Sequence, residues 1–204
     1  MFLVFGFRPI LRTIARGTFH CPREGVDCSY RRCQVRTFLT LFFIPLIPLK
    51  KSGELVQCES CRGRFEMAVL ELPTGPELSD QLVGATRHAL ASVLRRLAPL
   101  TTAQRDAAVS VLKRREQGAD IAWVDHDMAT LDDASLEPYL PGLGQNLSAV
   151  GKEGFLSDLV WVATSDGPLD RSVRDLLGHI GAAMGMTPAH VRGIVAMVTE
   201  DRPR

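Results

Sequence analysis

All five cysteines of the 204-residue chain, Cys21, Cys28, Cys33, Cys58 and Cys61, fall between positions 21 and 61. Cys58-Glu59-Ser60-Cys61 is a Cys-x-x-Cys pair, a spacing that lets two thiolates hold one tetrahedral ion while the intervening amides point at the sulfurs. Cys21-Pro22-Arg23-Glu24-Gly25 has the form of a matching turn and supplies a third ligand, but Glu24 stands where its second cysteine belongs. Structural zinc sites favour thiolates over carboxylates. Cys28, four residues beyond Glu24, is therefore the expected fourth ligand, ahead of Glu24 itself, with Cys33 on the following strand in third place. His20, directly before Cys21, would need an awkward backbone turn. The expected set is Cys21, Cys28, Cys58 and Cys61 around one structural zinc ion. A catalytic zinc keeps an open position and needs a base beside it, and this window offers no separate base, so no enzyme activity is expected.

The elements that must position these cysteines are extended ones. Residues 2–7 read as a short first strand, and 10–18 as a basic, polar segment ending at Gly17. Tyr30 to Phe43 alternates Cys33, Val35, Thr37 and Leu39 against Arg32, Gln34 and Arg36, as a half-exposed strand does. Pro45 and Pro48 exclude a central strand over 44–48. Lys50-Lys51-Ser52-Gly53 reads as a turn, and Glu54-Leu55-Val56-Gln57 as the strand that returns to Cys58. So small an all-β module gains from a metal, because its apolar core is limited.

Residues 1–65 carry 11 Lys and Arg against 4 Asp and Glu, and the remainder 13 against 19. That charge step falls where the cysteines stop and suggests two modules. We expect a β module over 1–70, a linker over 71–76 and a helical bundle over 77–204, an α+β chain in all. After Pro76 the apolar period changes from two to 3.6, first in Leu78, Leu82, Ala89, Leu90, Val93 and Leu97. Thr101-Thr102-Ala103-Gln104 offers a capping box for a helix that stops at Gly118. Ile121–Leu131 and a short piece within 136–147 follow. Phe155, Leu156, Leu159, Val160 and Val162 mark a central helix. Asp170 then caps one helix and Thr187-Pro188 opens the last, giving five to seven helices in the bundle.

The apolar start of the chain is cut short by Arg8 and preceded by no basic segment, so no export signal is expected. The run over 38–49 is too short to span a bilayer, for which ~20 residues are needed. Clustered, odd-numbered cysteines without an export signal read as thiolates in a reducing compartment, so a cytoplasmic location is expected. His88, His126, His179 and His190 are scattered without a nucleophile, and no small-molecule substrate is indicated.

Two stretches carry a family resemblance. Phe19-His20-Cys21, Phe42-Phe43-Ile44-Pro45-Leu46-Ile47-Pro48-Leu49 and Gly53-Glu54-Leu55-Val56-Gln57-Cys58-Glu59-Ser60-Cys61 resemble the zinc-ribbon module sometimes found before TerB-like domains. Residues 157–170 and 180–191 resemble the C-terminal half of the tellurite-resistance TerB-like helical domain. There an apolar helix leads into Asp166-Gly167, a second ends in Met184-Gly185-Met186-Thr187, and a last helix follows. The resemblance implies an all-α second module without established enzymatic activity. It also implies a role in a tellurite, metal or envelope stress response, in metal-sensing, membrane-associated assemblies. Some TerB-like domains carry acidic clusters associated with a divalent cation. Asp166 and Asp170 match that pattern, and Asp158 lies two turns earlier. Val173, however, stands where the family has Glu, and an earlier Asp-Gly repeat is missing. The expected roles are therefore a cap for Asp170 and a turn for Asp166.

The leading expectation is a non-enzymatic zinc-binding scaffold with a protein partner. One alternative is nucleic-acid binding through Arg8, Arg12, Arg16, Arg23, Arg31, Arg32 and Arg36, with Tyr30 and Phe19 as stacking groups. A solvated basic face is preferred to it. The other is peripheral membrane contact through Phe42, Phe43, Ile44, Leu46 and Ile47 beside Lys50 and Lys51.

Overall fold

In a computed structural model, which describes residues 5–41 and 44–200, a four-stranded antiparallel sheet precedes seven α-helices, an α+β architecture. The chain divides into two compact units, Met1–Glu77 and Leu78–Arg204.

The sheet is a meander of β1 (Phe5–Cys21), β2 (Val26–Leu41), β3 (Ile44–Cys58) and β4 (Arg64–Phe65), side by side in chain order. The first hairpin closes tightly. The Gly25 amide donates to the Cys21 carbonyl at 2.8 Å, and Gly25 takes φ +70°, a conformation that costs a glycine nothing. From that turn the ladder runs through Cys21↔Val26 and Phe19↔Cys28 to Phe5↔Leu41, with one bulge between Thr13 and Ala15. β1 is thus far longer than the strand expected over 2–7, and the polar segment 10–18 belongs to it. Cross-strand pairing extends residues whose own β-propensity is weak.

Lys50–Gly53 is likewise no turn but part of β3. Gly53 takes φ +129°, and the ladder to β2 slips between Val35 and Arg36 and again before Phe38. A bulge recruits the same glycine and polar residues that a turn does. The prolines fit as argued: β4 pairs with β3 only at Val56 and Gln57, so at Pro45 and Pro48 the ladder runs to β2 alone. Phe42 and Phe43, and the side chains over 41–52 on which the membrane reading rests, lie outside the described residues.

One face of the sheet gathers Phe19, Cys21, Cys28, Val56 and Cys58, joined by Val69 from a 3₁₀ helix at Met67–Glu71. Phe19 meets Tyr30 edge-on at 5.6 Å and Phe65 at 5.8 Å between ring centroids. Half of that small cluster is cysteine.

The helices are α1 (Gly75–Leu97), α2 (Thr102–Lys113), α3 (Ile121–Thr130), α4 (Leu140–Asn146), α5 (Ala149–Ala163), α6 (Arg171–Ala183) and α7 (Pro188–Glu200). Their starts follow local chemistry. The Thr74 amide and hydroxyl both donate to Glu77 at 2.8 Å ahead of α1. Thr101 and Gln104 form the reciprocal capping box of α2, and the Asp170 carboxylate accepts from the Ser172 amide at 2.7 Å. α2 ends at Lys113, earlier than the stop expected at Gly118, because the Arg115 and Glu116 amides both turn back to the Leu112 carbonyl. α5 is buried on most sides through Phe155, Leu156, Leu159, Val160 and Val162, and packs against α2, α6 and α7. Among the described residues no helix is long and apolar enough to cross a membrane.

Behind α3 the chain is tied to the end of α1. Asp133 accepts from Arg96 at 2.6 Å and from Arg95 at 3.1 Å. The Arg96 hydrogen bond, helped by Ser92 and Arg95 against the opposing effect of burial, holds the Asp133 carboxyl well below the usual carboxylate range. A carboxyl depressed in the folded state stabilises above its unfolded value near ~3.9, and that contribution fades as pH falls toward the folded value. Asp133 is 48% exposed, so solvent limits the effect to roughly 1 kcal/mol or less. Asp133→Asn is expected to unfold that much more easily at pH 7 in urea titrations, with the difference from wild type narrowing below about pH 4.

Candidate metal centre

The centre lies where the first hairpin turn and the end of β3 meet. The turn is tight, so β2 resumes at Val26 and returns Cys28 opposite Phe19, on the same face as Tyr30 and Cys58. The Sγ atoms of Cys21, Cys28 and Cys58 all lie within 4.8 Å of one another, and all three residues are buried. Cys61 stands beside them, its Sγ 3.8 Å from that of Cys21. A tetrahedron with metal–sulfur arms of about 2.3 Å has sulfur–sulfur edges of about 3.8 Å. The five cysteines are all free thiols.

The loop after β3 is folded around its sulfurs. The Cys58 amide donates to the Gly63 carbonyl at 3.0 Å, and the Glu59 amide to Ser29 at 2.9 Å. The Gly63 amide in turn donates to Cys61 Sγ at 3.3 Å. Burial works to raise the Cys58 pKa, but the Cys61 and Ser60 amides, with the Cys61 and Cys21 thiols, outweigh it and lower it. Amides aimed at sulfur favour the thiolate and orient a ligand from outside the first coordination sphere. Cys28 has no such amide. Burial first, then the neighbouring Cys58, Cys21 and Glu24, push its thiol up to about 11. At Cys61 the Gly63 amide pulls the pKa down, while burial and the two neighbouring thiols prevail and raise it. Three buried sulfurs this close together are an arrangement that a divalent cation can neutralise, with Cys61 adjoining them at Cys21 but outside the group of three.

The other candidates lie apart. Glu24 is exposed in the turn and is not among the converging groups. Cys33 follows Cys28 by five positions on one strand, so it points through the opposite face. Its Sγ lies 3.9 Å from the Thr13 hydroxyl and 3.8 Å from the Arg31 carbonyl. His20 faces Asp27 across the hairpin at 3.3 Å. Asp27 also accepts from the Gly75 amide at 2.8 Å. The Ser60 amide fits the Cys-x-x-Cys expectation, whereas Gly63, whose amide and carbonyl both hold the loop, was not among the expected residues. The glycine two residues after Cys61 is the signal that marks such a loop.

In the helical unit the three aspartates do not form a centre. Asp158 is taken up by Arg114 at 2.5 Å and Arg115 at 2.8 Å, Asp170 caps α6, and Asp166 is exposed. Among the described residues the cysteines form the one group of three or more metal-ligating side chains that converges. His179 and His190 sit on the surface against Glu137 and Glu153. In the basic set, Arg31 lies 3.1 Å from Glu59 and Arg32 2.5 Å from Glu54. Comparison with protein-family models, curated proteins and solved structures finds no match to this chain.

Proposed function

We propose that the chain holds one structural zinc ion through Cys21, Cys28, Cys58 and Cys61, and that the ion fixes the small sheet as a binding or scaffold module joined to a helical unit. The observation that carries this reading is the convergence of three buried sulfurs within 4.8 Å, with a fourth 3.8 Å from one of them. Zinc suits an all-thiolate tetrahedral site, and a reducing compartment keeps such thiols available. With every ligand position taken by protein, the ion itself offers no open position to a substrate, and we read the module as non-enzymatic with a protein partner. The likeness of the two segments to a zinc ribbon and a TerB-like domain suggests service in a tellurite, metal or envelope stress response.

Metal analysis of the purified, reduced chain tests the reading. Wild type, Glu24→Ala and Cys33→Ser are each expected to carry about one equivalent of zinc, and Cys28→Ser less than about half of one. Zinc retained in full by Cys28→Ser would remove Cys28 from the site.

A further inference from the structure

Helices α6 and α7 enclose an open apolar cleft of about 450 Å³. Its α6 wall carries Arg174, Gly178 and Ala182, spaced four apart along one stripe of the helix. Val191, Arg192 and Val195 line it from α7, and Met186 from the turn between the helices. The helices touch at Gly181, where an added Cβ would clash with Val191 Cγ2. One turn away, at Gly178, nothing lies within 4 Å of that position. The gap is therefore a feature of the packing, with a hard contact beside it.

Two properties define what fits. The volume falls within the range of small-molecule sites, about 300–1,000 Å³, which are mostly apolar with a few polar groups that fix orientation. Those polar groups here are Arg174 and Arg192, and neither has an ion pair or side-chain hydrogen bond among the described residues. By contrast Arg87, Arg95, Arg96, Arg105, Arg114 and Arg115 each reach an aspartate. A guanidinium offers parallel N–H donors that match a carboxylate, and an apolar body gains by leaving water for the cleft.

We propose that the α6–α7 cleft binds a small amphipathic carboxylate, its apolar chain or ring between the helices and its head group on Arg174 and Arg192. Calorimetric titration of the full chain with decanoate, below its aggregation threshold, tests this. One-site, saturable binding is expected. Gly178→Leu, which sends a side chain into the open space, is expected to abolish it. Gly178→Ala should melt no earlier than wild type, showing that a side chain at this position is compatible with the helix. Arg174→Gln/Arg192→Gln, on exposed positions, is expected to weaken decanoate at least about tenfold. No saturation by decanoate, or binding undiminished in either the leucine or the double variant, would overturn the proposal. So would saturable binding of an acidic amphipathic peptide where decanoate fails, which would make the cleft a protein-docking surface.

Discussion

On the proposed zinc site, Cys58→Ser is expected to abolish metal binding and to melt the sheet while the helices stay folded. Cys58 is fully buried, pairs with Tyr30 in the ladder and accepts the amide hydrogen bonds of its loop. The apolar side of the sheet is a six-residue cluster of which Cys21, Cys28 and Cys58 are half. Structural zinc contributes apparent binding energies on the order of 10 kcal/mol to small domains, far more than so small a core supplies. The core of the helical unit shares no residue with that cluster. Amide exchange should show protection lost through β1, β2 and β3 and retained in α1, α5 and α6, with little change in helical circular dichroism. Cys33→Ser, on the other face of β2, should change neither zinc content nor exchange. A Cys58→Ser variant that keeps a protected sheet would mean that the core stands without the ion.

The second large effect lies in the helical unit. Asp127 on α3 is 3% exposed, and Arg87 on α1 grips both its oxygens at 2.8 and 2.5 Å. The same guanidinium lies 4.7 Å over the ring of Trp123. The hydrogen bond to Asp127, working against burial, raises the Arg87 pKa, so the cation is held at every accessible pH. Arg87→Ala would leave a buried carboxylate without a counter-charge, and we expect a loss of about 3 kcal/mol in urea unfolding followed by helical signal. Replacing both partners, as Arg87→Met/Asp127→Leu, removes the charge together with its partner and should recover most of that loss. A loss below about 1 kcal/mol in the single variant would place the pair with ordinary surface bridges.

How much of this was legible in the sequence depends on how local each signal is. Helix starts at Thr101, Asp170 and Thr187 were readable because a cap is chemistry within three residues of itself. The prolines at 45 and 48 were readable as barring a second paired neighbour, since a missing donor is a property of the residue alone. Residues 44–48 still belong to β3, an inner strand of the sheet order. The separation of Cys28 from Cys33 was also readable in principle: five positions along a strand is an odd number, and odd separations face opposite ways. The length of β1 was not, because pairing with β2 supplies what residues 10–18 lack. Lys50–Gly53 misled for a different reason, as glycine serves a bulge and a turn equally. Arg87 and Asp127 stand forty positions apart and leave no local trace. The α6–α7 cleft depends on where Gly181 lets two helices touch, which the apolar period alone does not reveal.

X-ray absorption at the zinc edge of the reduced full chain tests the central claim most directly. The account predicts about one equivalent of zinc with four sulfur neighbours at about 2.3 Å and no lighter atom in the first shell. A shell containing oxygen or nitrogen, or a chain that binds no zinc, would contradict it.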